Sequence, residues 1–162
     1  VADNLSRFSA WENRDDWALE RHQFEWLDSL WGPHTCDRFA SHFSTQVLAF
    51  NSLPWSPGCS GVNCFLQDWS QDNNWLSPPV SLVLRAIAHA KRQKARATLI
   101  VPYWESAIYW PILRSTSGVN GWASFVKDHR VFHAKYVPNS SVGRQVFCSN
   151  PVFKTVALRI VF

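Results

Sequence analysis

The most constraining feature of this sequence is a helix-like segment that leads directly into a short, wholly apolar one. Residues 82–94 repeat apolar side chains at helical spacing, which predicts an amphipathic helix with one buried face. These apolar residues are Leu82, Val83, Ala86, Ile87 and Ala90. Residues 98–101 then form a continuous apolar run, which is typical of a central parallel strand covered on both sides. Together they predict an α/β fold.

The rest of the pattern places helices mainly in the first two thirds of the chain and strands in the last third. Further helices are predicted at residues 16–30 and 106–113. A short strand is predicted to end near residues 36–37, and further strands are predicted at 46–50, 131–136, 142–147 and 152–162. Helix–strand alternation followed by strands predicts an α/β sheet with an antiparallel edge.

Composition indicates one globular domain. The chain has 162 residues, of which 46% are apolar and 17% charged, and this is enough to build a hydrophobic core. Ten Trp and eleven Phe predict a largely aromatic core, with some rings at a contact surface. The chain opens without Met, so we expect it to be a segment of a longer protein. Its apolar runs are far shorter than the roughly 18 residues of a membrane span, so we expect no membrane contact.

The net charge and the cysteine content limit the possible binding partners and the cellular compartment. A net charge of +4 permits nucleic-acid binding without requiring it. Cys59 and Cys64 are close in sequence, but no second close pair follows, so neither a zinc site nor another metal site is predicted. With Cys36 and Cys148 they are expected to be free, mostly buried thiols in a reducing compartment, which means an intracellular protein of the cytoplasm or nucleus.

Asp37 is a candidate ligand-binding residue because it ends a predicted strand. In open α/β sheets ligands bind beyond the carboxyl ends of strands. A carboxylate there can accept hydrogen bonds from a cofactor, and small residues such as Ala40 after Phe39 let the backbone approach the ligand. A strand-end Asp can equally cap the following turn, and the residues alone leave both interpretations open.

A second candidate is the loop Ser77-Pro78-Pro79-Val80. Methyl transfer to adenine needs a polar group beside the exocyclic nitrogen, and two prolines stiffen such a loop because each fixes its φ angle. An aromatic residue after them commonly stacks on a flipped-out base. Here Ser77 occupies the polar position and Val80 the aromatic one, so the same residues also fit a plain rigid turn between strand and helix.

Two further sets are candidates for nucleic-acid contact. A basic set on and after the predicted helix could contact phosphates, and its members are Arg85, His89, Lys91, Arg92, Lys94 and Arg96. Within this set, Arg85, His89 and Arg92 form a stripe on one face of the helix. The alternative is a solvated helix face with cations near its C-terminus. Tyr103 and Trp104 follow the apolar strand and could stack on a base, or they could simply pack at the rim of the core.

Residues 2–113 also carry a series of short segments that occur together in one kind of polyprotein. The segments are Ala2-Asp3-Asn4-Leu5-Ser6-Arg7, Asp16-Trp17-Ala18-Leu19, Trp31-Gly32-Pro33-His34-Thr35, Asp37-Arg38-Phe39-Ala40, Phe50-Asn51-Ser52, Asp68-Trp69, Asn73-Asn74-Trp75-Leu76, Pro78-Pro79, Thr98-Leu99-Ile100-Val101-Pro102 and Trp110-Pro111. In these the chain resembles the region after reverse transcriptase and RNase H in DIRS-type retrotransposon polyproteins, which carry a tyrosine recombinase.

The domain at this place in such elements is similar to phage Dam-type DNA adenine methyltransferases. The resemblance implies a Rossmann-like, three-layer fold with a mostly parallel sheet and an antiparallel C-terminal edge. It implies that residues 1–14 are a tail or linker from RNase H and that residues 15–162 are the methyltransferase-like domain. Asp37, Phe39 and Ala40 would line an S-adenosylmethionine pocket, and residues 77–80 would face the target base.

The chain departs from the pattern of these enzymes at three positions. Ser77 stands in place of a catalytic Asn or Asp, Val80 in place of the stacking aromatic, and Asn63 where an acidic residue is expected. The resemblance therefore implies a DNA adenine-N6 methyltransferase-like domain with weak or lost catalysis. The alternative is a non-catalytic nucleic-acid-binding or structural module between RNase H and recombinase. Its partners would be those two domains and the DNA or RNA–DNA intermediate of the element.

Overall fold

The computed structural model describes residues 17–138 and 146–162. The strands are β1 (Trp17–Leu19), β2 (Cys36–Asp37), β3 (Asn51–Ser52), β4 (Gly61–Val62), β5 (Asn73–Leu76), β6 (Arg96–Pro102), β7 (Val126–Phe132), β8 (Tyr136–Pro138) and β9 (Thr155–Val161). The α-helices are α1 (Arg21–Trp31), α2 (Val83–Arg92) and α3 (Trp110–Leu113), and short 3₁₀ helices span Cys64–Leu66, Val80–Leu82 and Val119–Gly121. The predicted tail at 1–14 and most of the predicted strand at 142–147 lie outside the described residues.

Five strands form the main sheet, in the order β2-β5-β6-β9-β7. β2, β5 and β6 run parallel to one another. β9 is antiparallel both to β6 and to β7. Two small sheets accompany it, an antiparallel pair of β1 with β8 and a parallel pair of β3 with β4.

The prediction of a Rossmann-like three-layer fold with a mostly parallel sheet is wrong. The antiparallel ladders of the main sheet hold seven and six residue pairs, whereas the parallel ladders hold two and four, and only 24% of the structure is helical. A Rossmann sheet needs repeated helical crossovers between parallel strands. Helix α2 makes one between β5 and β6. The segment from β2 to β5 instead passes through Pro54, Pro57 and Gly58, which disfavour a helix there.

Several predicted elements shift as well. The helix predicted from residue 16 begins at Arg21, because Trp17 and Leu19 alternate in burial as a strand and pair with β8. The helix predicted at 106–113 is reduced to α3, and residues 46–49 of the predicted strand at 46–50 are not in a strand.

The sheet separates two hydrophobic cores, because successive side chains of a strand point to opposite faces. The α2-side core contains Ala97, Leu99 and Val101 of β6, together with buried residues of α2, α3 and β9. The α1-side core is largely aromatic, and its members are Trp17, Leu19, Phe24, Leu27, Trp75, Ile100, Ala134, Tyr136, Phe147 and Ala157. β6 is therefore covered on both faces, which explains its continuous apolar sequence.

Candidate functional site

Two of the predicted sites meet at one edge of the main sheet. Because β2, β5 and β6 are parallel, their carboxyl ends lie at the same edge, which we call the carboxyl edge. Asp37 is in register with Trp75, so it lies next to the strand that leads into Ser77 and the two prolines. Tyr103 and Trp104 follow the end of β6 on the same edge.

Asp37 is fully engaged in holding the loop that follows it. Its side chain is 1% exposed. One carboxylate oxygen accepts a hydrogen bond from the Gln46 amide at 3.0 Å and the other one from the Phe39 amide at 3.4 Å. Ala40 is buried and donates its amide to the Asn51 carbonyl. These contacts are those of a strand-end Asp that caps a turn.

The Pro-Pro loop forms the connection between β5 and α2. Ser77, Pro78 and Pro79 are buried, and the Pro79 carbonyl accepts the Leu82 amide at 2.9 Å to begin a 3₁₀ turn. Val80 packs against both cores. Its partly buried side chain thus packs inward, at the position where an adenine methyltransferase would present a stacking ring.

The basic stripe of α2 is only partly available to a ligand. The guanidinium of Arg85 lies 4.1 Å from the centre of the Phe65 ring. His89 is 4% exposed, and its Nε2 donates to the Gln67 carbonyl at 3.1 Å while Nδ1 accepts from Arg92 at 3.4 Å. Burial, reinforced by the charge of Arg92, lowers the pKa of His89. His89 is therefore a neutral packing residue, whereas Arg85 and Arg92 are exposed.

The exposed cations of the predicted basic set extend past the stripe and past the end of α2. We call Arg85, Lys91, Arg92 and Lys94 the α2 basic surface; all four are exposed. None of them takes part in an ion pair within residues 17–138 and 146–162. The positive charge of this surface is consequently open to an anionic partner.

Tyr103 and Trp104 are half-buried and make ring contacts of their own. Tyr103 packs edge-to-face on Trp110 with ring centres 4.6 Å apart, and Trp104 packs on Phe153 at 5.1 Å. The Tyr103 amide also donates to the Lys154 carbonyl at 2.8 Å. Both rings thus contribute to packing at the carboxyl edge.

Sequence reasoning missed Arg38, the most heavily bonded charged side chain of this region. It is 4% exposed. Its guanidinium donates to Asn74 Oδ1 at 2.7 Å, Asn51 Oδ1 at 2.9 Å, Asp72 Oδ2 at 2.8 Å and the Asp68 carbonyl at 3.0 Å. The one available signal was an Arg placed directly after a buried strand, since buried charges require partners.

A relay of Asp28, His34 and Thr98 lies on the α1 side of the sheet, with His34 and Thr98 buried and Asp28 partly exposed. His34 Nδ1 is 2.6 Å from Asp28 Oδ1, and Nε2 is 2.7 Å from Thr98 Oγ1. The order of groups is that of a hydrolase triad. Thr98 is 0% exposed in the middle of β6, so its hydroxyl cannot reach a substrate, and the relay ties α1 to the central strand.

Within the described part of the chain, no group of three or more His, Cys, Asp or Glu side chains is placed to hold a metal ion. All four cysteines are free. Burial raises the pKa of Cys36 to about 11 and that of Cys64 to about 12, which makes both thiols poor nucleophiles. No helix of residues 17–138 or 146–162 is long and apolar enough to cross a membrane. No protein-family model matches the chain, and no curated protein matches it.

Proposed function

We propose that this chain is a non-catalytic nucleic-acid-binding module and that the α2 basic surface contacts the phosphate backbone. The observation that carries the proposal is the set of four exposed cations, Arg85, Lys91, Arg92 and Lys94, which have no ion-pair partner in the part of the chain that the structure describes. Phosphate contacts of this kind supply most of the affinity of sequence-independent binding.

The position of Arg85 favours a binding role over simple helix stabilisation. Cations near the C-terminus of a helix interact favourably with its dipole, and this accounts for Lys91 and Arg92. Arg85 lies in the first turn of α2, where the same dipole disfavours a cation. Its guanidinium is nevertheless held over the Phe65 ring, and Arg92 is likewise oriented by His89. Ordered guanidinium groups lose less entropy when they bind phosphate.

The resemblance to DIRS-type polyproteins supplies the context of this proposal. The module would lie between RNase H and the tyrosine recombinase, and its ligand would be the DNA or the RNA–DNA intermediate of the element. A contact to phosphates carries no sequence information, so it would serve such an intermediate whatever its base sequence.

The salt dependence of DNA binding tests the α2 basic surface. The affinity of the wild type should fall with rising salt, and Arg85→Ala with Arg92→Ala should reduce the slope of log K against log salt by about two. The matched control is Lys135→Ala with Lys154→Ala, which removes two exposed cations next to the carboxyl edge.

Two outcomes would contradict the assignment. If the slope of log K against log salt is unchanged in the α2 variant, Arg85 and Arg92 belong to a solvated helix face and do not contact DNA. A loss of slope in the control alone would place the contact at the carboxyl edge, beside Tyr103 and Trp104.

Retained binding of S-adenosylmethionine is a second candidate, which the shared carboxyl edge of Asp37 and Ser77 favours. It has less support, because Asp37 is buried and bonded to its own loop. Calorimetry with S-adenosylmethionine tests it, and absence of both heat and thermal shift would leave only the non-catalytic role. Methyl transfer to DNA should be measured with Ser77→Asn combined with Val80→Tyr, since those changes restore the residue types of the enzyme loop.

A further inference from the structure

Two arginines lie side by side on the face of the main sheet that points away from α2. Arg96 begins β6, and Arg159 belongs to the neighbouring strand β9, where it is in register with Thr98. Ala97, which follows Arg96 in β6, and Ile160, which follows Arg159 in β9, both face the α2-side core. Because successive side chains of a strand point to opposite faces, Arg96 and Arg159 point to the other face of the sheet. In this register they are diagonal neighbours, within reach of each other's long side chains.

Neither arginine has a carboxylate partner in the described ranges. Asp128 is opposite Arg159 in the β7–β9 ladder, but its carboxylate accepts from Arg130 at 2.7 Å and from Trp31 Nε1 at 3.1 Å. Asp28 on the same side accepts from His34. The pair is thus two like charges brought together without a counterion.

Arg159 is also held in place by a neighbouring amide. Its Nη1 donates to Asn73 Oδ1 at 2.7 Å. The side-chain nitrogen of Asn73, Nδ2, donates to the carbonyls of Trp31 and Pro33. These two bonds fix the direction of the side-chain oxygen. Asn73 is in turn the β5 residue in register with Arg96. The remaining N–H groups of Arg159 have no partner among the described residues. Burial and the nearby charge of Arg96 lower the pKa of Arg159.

We infer that Arg96 and Arg159 form a binding site for a phosphate group at the amino end of β6. Guanidinium groups match phosphate because their planar donors form two parallel hydrogen bonds to its oxygens. A purely structural role for Arg159, in which its side chain links β9 to β5, would explain the bond between Arg159 and Asn73. It would not explain why Arg96 is placed beside a half-buried cation, since like charges at that distance repel.

Thermal unfolding of the whole chain in sodium phosphate and in sodium chloride of equal ionic strength tests this site. At a phosphate concentration of about ten times the dissociation constant, binding raises the apparent folding constant about elevenfold. For a chain of this size that corresponds to a rise in Tm of about 3 to 6 °C. Arg96→Gln should remove this part of the difference between the two salts. In chloride it should leave Tm unchanged or raise it, because it removes the repulsion with Arg159.

The matched control is Arg92→Gln on α2, which should retain the full response to phosphate. Because phosphate also stabilises proteins by exclusion from their surface, the result that counts is the difference between these two variants. Arg159→Gln should likewise lose the response, but its bond to Asn73 makes Arg96→Gln the variant that preserves the fold. Equal phosphate responses in wild type, Arg96→Gln and Arg92→Gln would overturn the site.

The source of the phosphate is separated by repeating the DNA-binding assay with Arg96→Gln. Weakened DNA binding together with a lost phosphate response assigns the site to the nucleic-acid backbone. Unchanged DNA binding with a lost phosphate response assigns it to a free phosphate compound. The site is separate from the α2 basic surface, so the salt-slope experiment and this one can fail independently.

Discussion

At the scale of single residues, buried polar side chains connect segments that are far apart in the chain. Asn74 is 0% exposed. Its amide donates to the carbonyls of Trp69, Asp72 and Arg96, while its oxygen accepts from Arg38. Such a network stabilises the fold only while every member keeps its partner, because an unsatisfied buried group is costly.

Replacing Arg38 by Met should therefore destabilise the protein by about 2 to 6 kcal/mol. The buried oxygens of Asn51 and Asn74 each lose a donor, at about 1 to 3 kcal/mol apiece, whereas the partly exposed ion pair with Asp72 contributes less. Urea unfolding measures the change. Arg85→Met removes an exposed guanidinium from α2 and is the control, with an expected cost below about 1 kcal/mol. Similar costs for the two variants would show that the Arg38 network contributes little.

His34 should make stability depend on pH. Burial lowers its pKa from 6.5 and outweighs the opposing contact with Asp28. Above the ordinary pKa both the folded and the unfolded states hold neutral His34, and its full contribution is present. As the pH falls below that value the unfolded state binds the proton first, so the free energy of unfolding falls until the lower folded-state pKa is reached. The pKa of His89 is lowered too, which adds to the effect.

Urea midpoints measured between about pH 7.5 and about pH 5.5 check the sign and the residue. His34→Gln should flatten the dependence on pH relative to the wild type. His133→Gln changes an exposed histidine and should leave the dependence as it is. If His34→Gln followed the wild-type curve throughout, His34 would not be the group that makes stability depend on pH.

At the scale of the elements, β7 is an edge strand on which the amide and carbonyl of His129 are bonded by side chains of the same strand. The His129 amide donates to Asp128 Oδ1 at 2.8 Å, and its carbonyl accepts from Arg130 Nη1 at 2.8 Å. The two side chains also pair with each other at 2.7 Å, and the strand is irregular between Val126 and Asp128. Both devices protect a sheet edge from pairing with another chain.

Removing this pair should expose the edge of the sheet. Asp128→Ala combined with Arg130→Ala is expected to associate more strongly than the wild type, because the free amide and carbonyl of His129 become available for strand pairing. Sedimentation velocity over a range of concentrations measures the association. Arg21→Ala with Glu25→Ala removes a comparable exposed pair from α1 and should behave like the wild type. Equal association of both double variants would contradict an edge-specific role.

At the scale of the whole molecule, both cores depend on the same central strands. β6 and β9 contribute Leu99 and Leu158 to the α2-side core and Ile100 and Ala157 to the α1-side core. Loss of these strands would expose both cores together. The molecule is therefore expected to unfold in one cooperative step.

Truncations in each core test this coupling. Leu27→Ala and Leu113→Ala remove fully buried side chains from the α1-side and α2-side cores, at about 2 to 5 kcal/mol each. Their costs should add to within about 0.5 kcal/mol in the double variant, since the sites share no contacts. Tryptophan fluorescence and far-ultraviolet circular dichroism should show a single coincident transition. Two separate transitions would mean that the cores fold independently.

Local pattern by itself determined the central unit of the fold. Helix α2 (Val83–Arg92) and strand β6 (Arg96–Pro102) were predicted at 82–94 and 98–101, because helical spacing and two-sided burial are recorded in neighbouring residues. The turn-capping role of Asp37 and the rigid turn at residues 77–80 were among the interpretations that the residues allowed for the same reason.

Only the tertiary structure decided the direction of the strands and the composition of the sites. β9 and β7 are antiparallel to their neighbours, and no local pattern records which strand will lie alongside another. Arg38 meets Asn74 across 36 positions, and Arg159 meets Asn73 across 86. Long-range pairing is set by the packing of the complete chain. The sequence therefore predicted α2 and β6 correctly, but the helix expected at 106–113, the strand expected at 46–50 and the fold class were wrong.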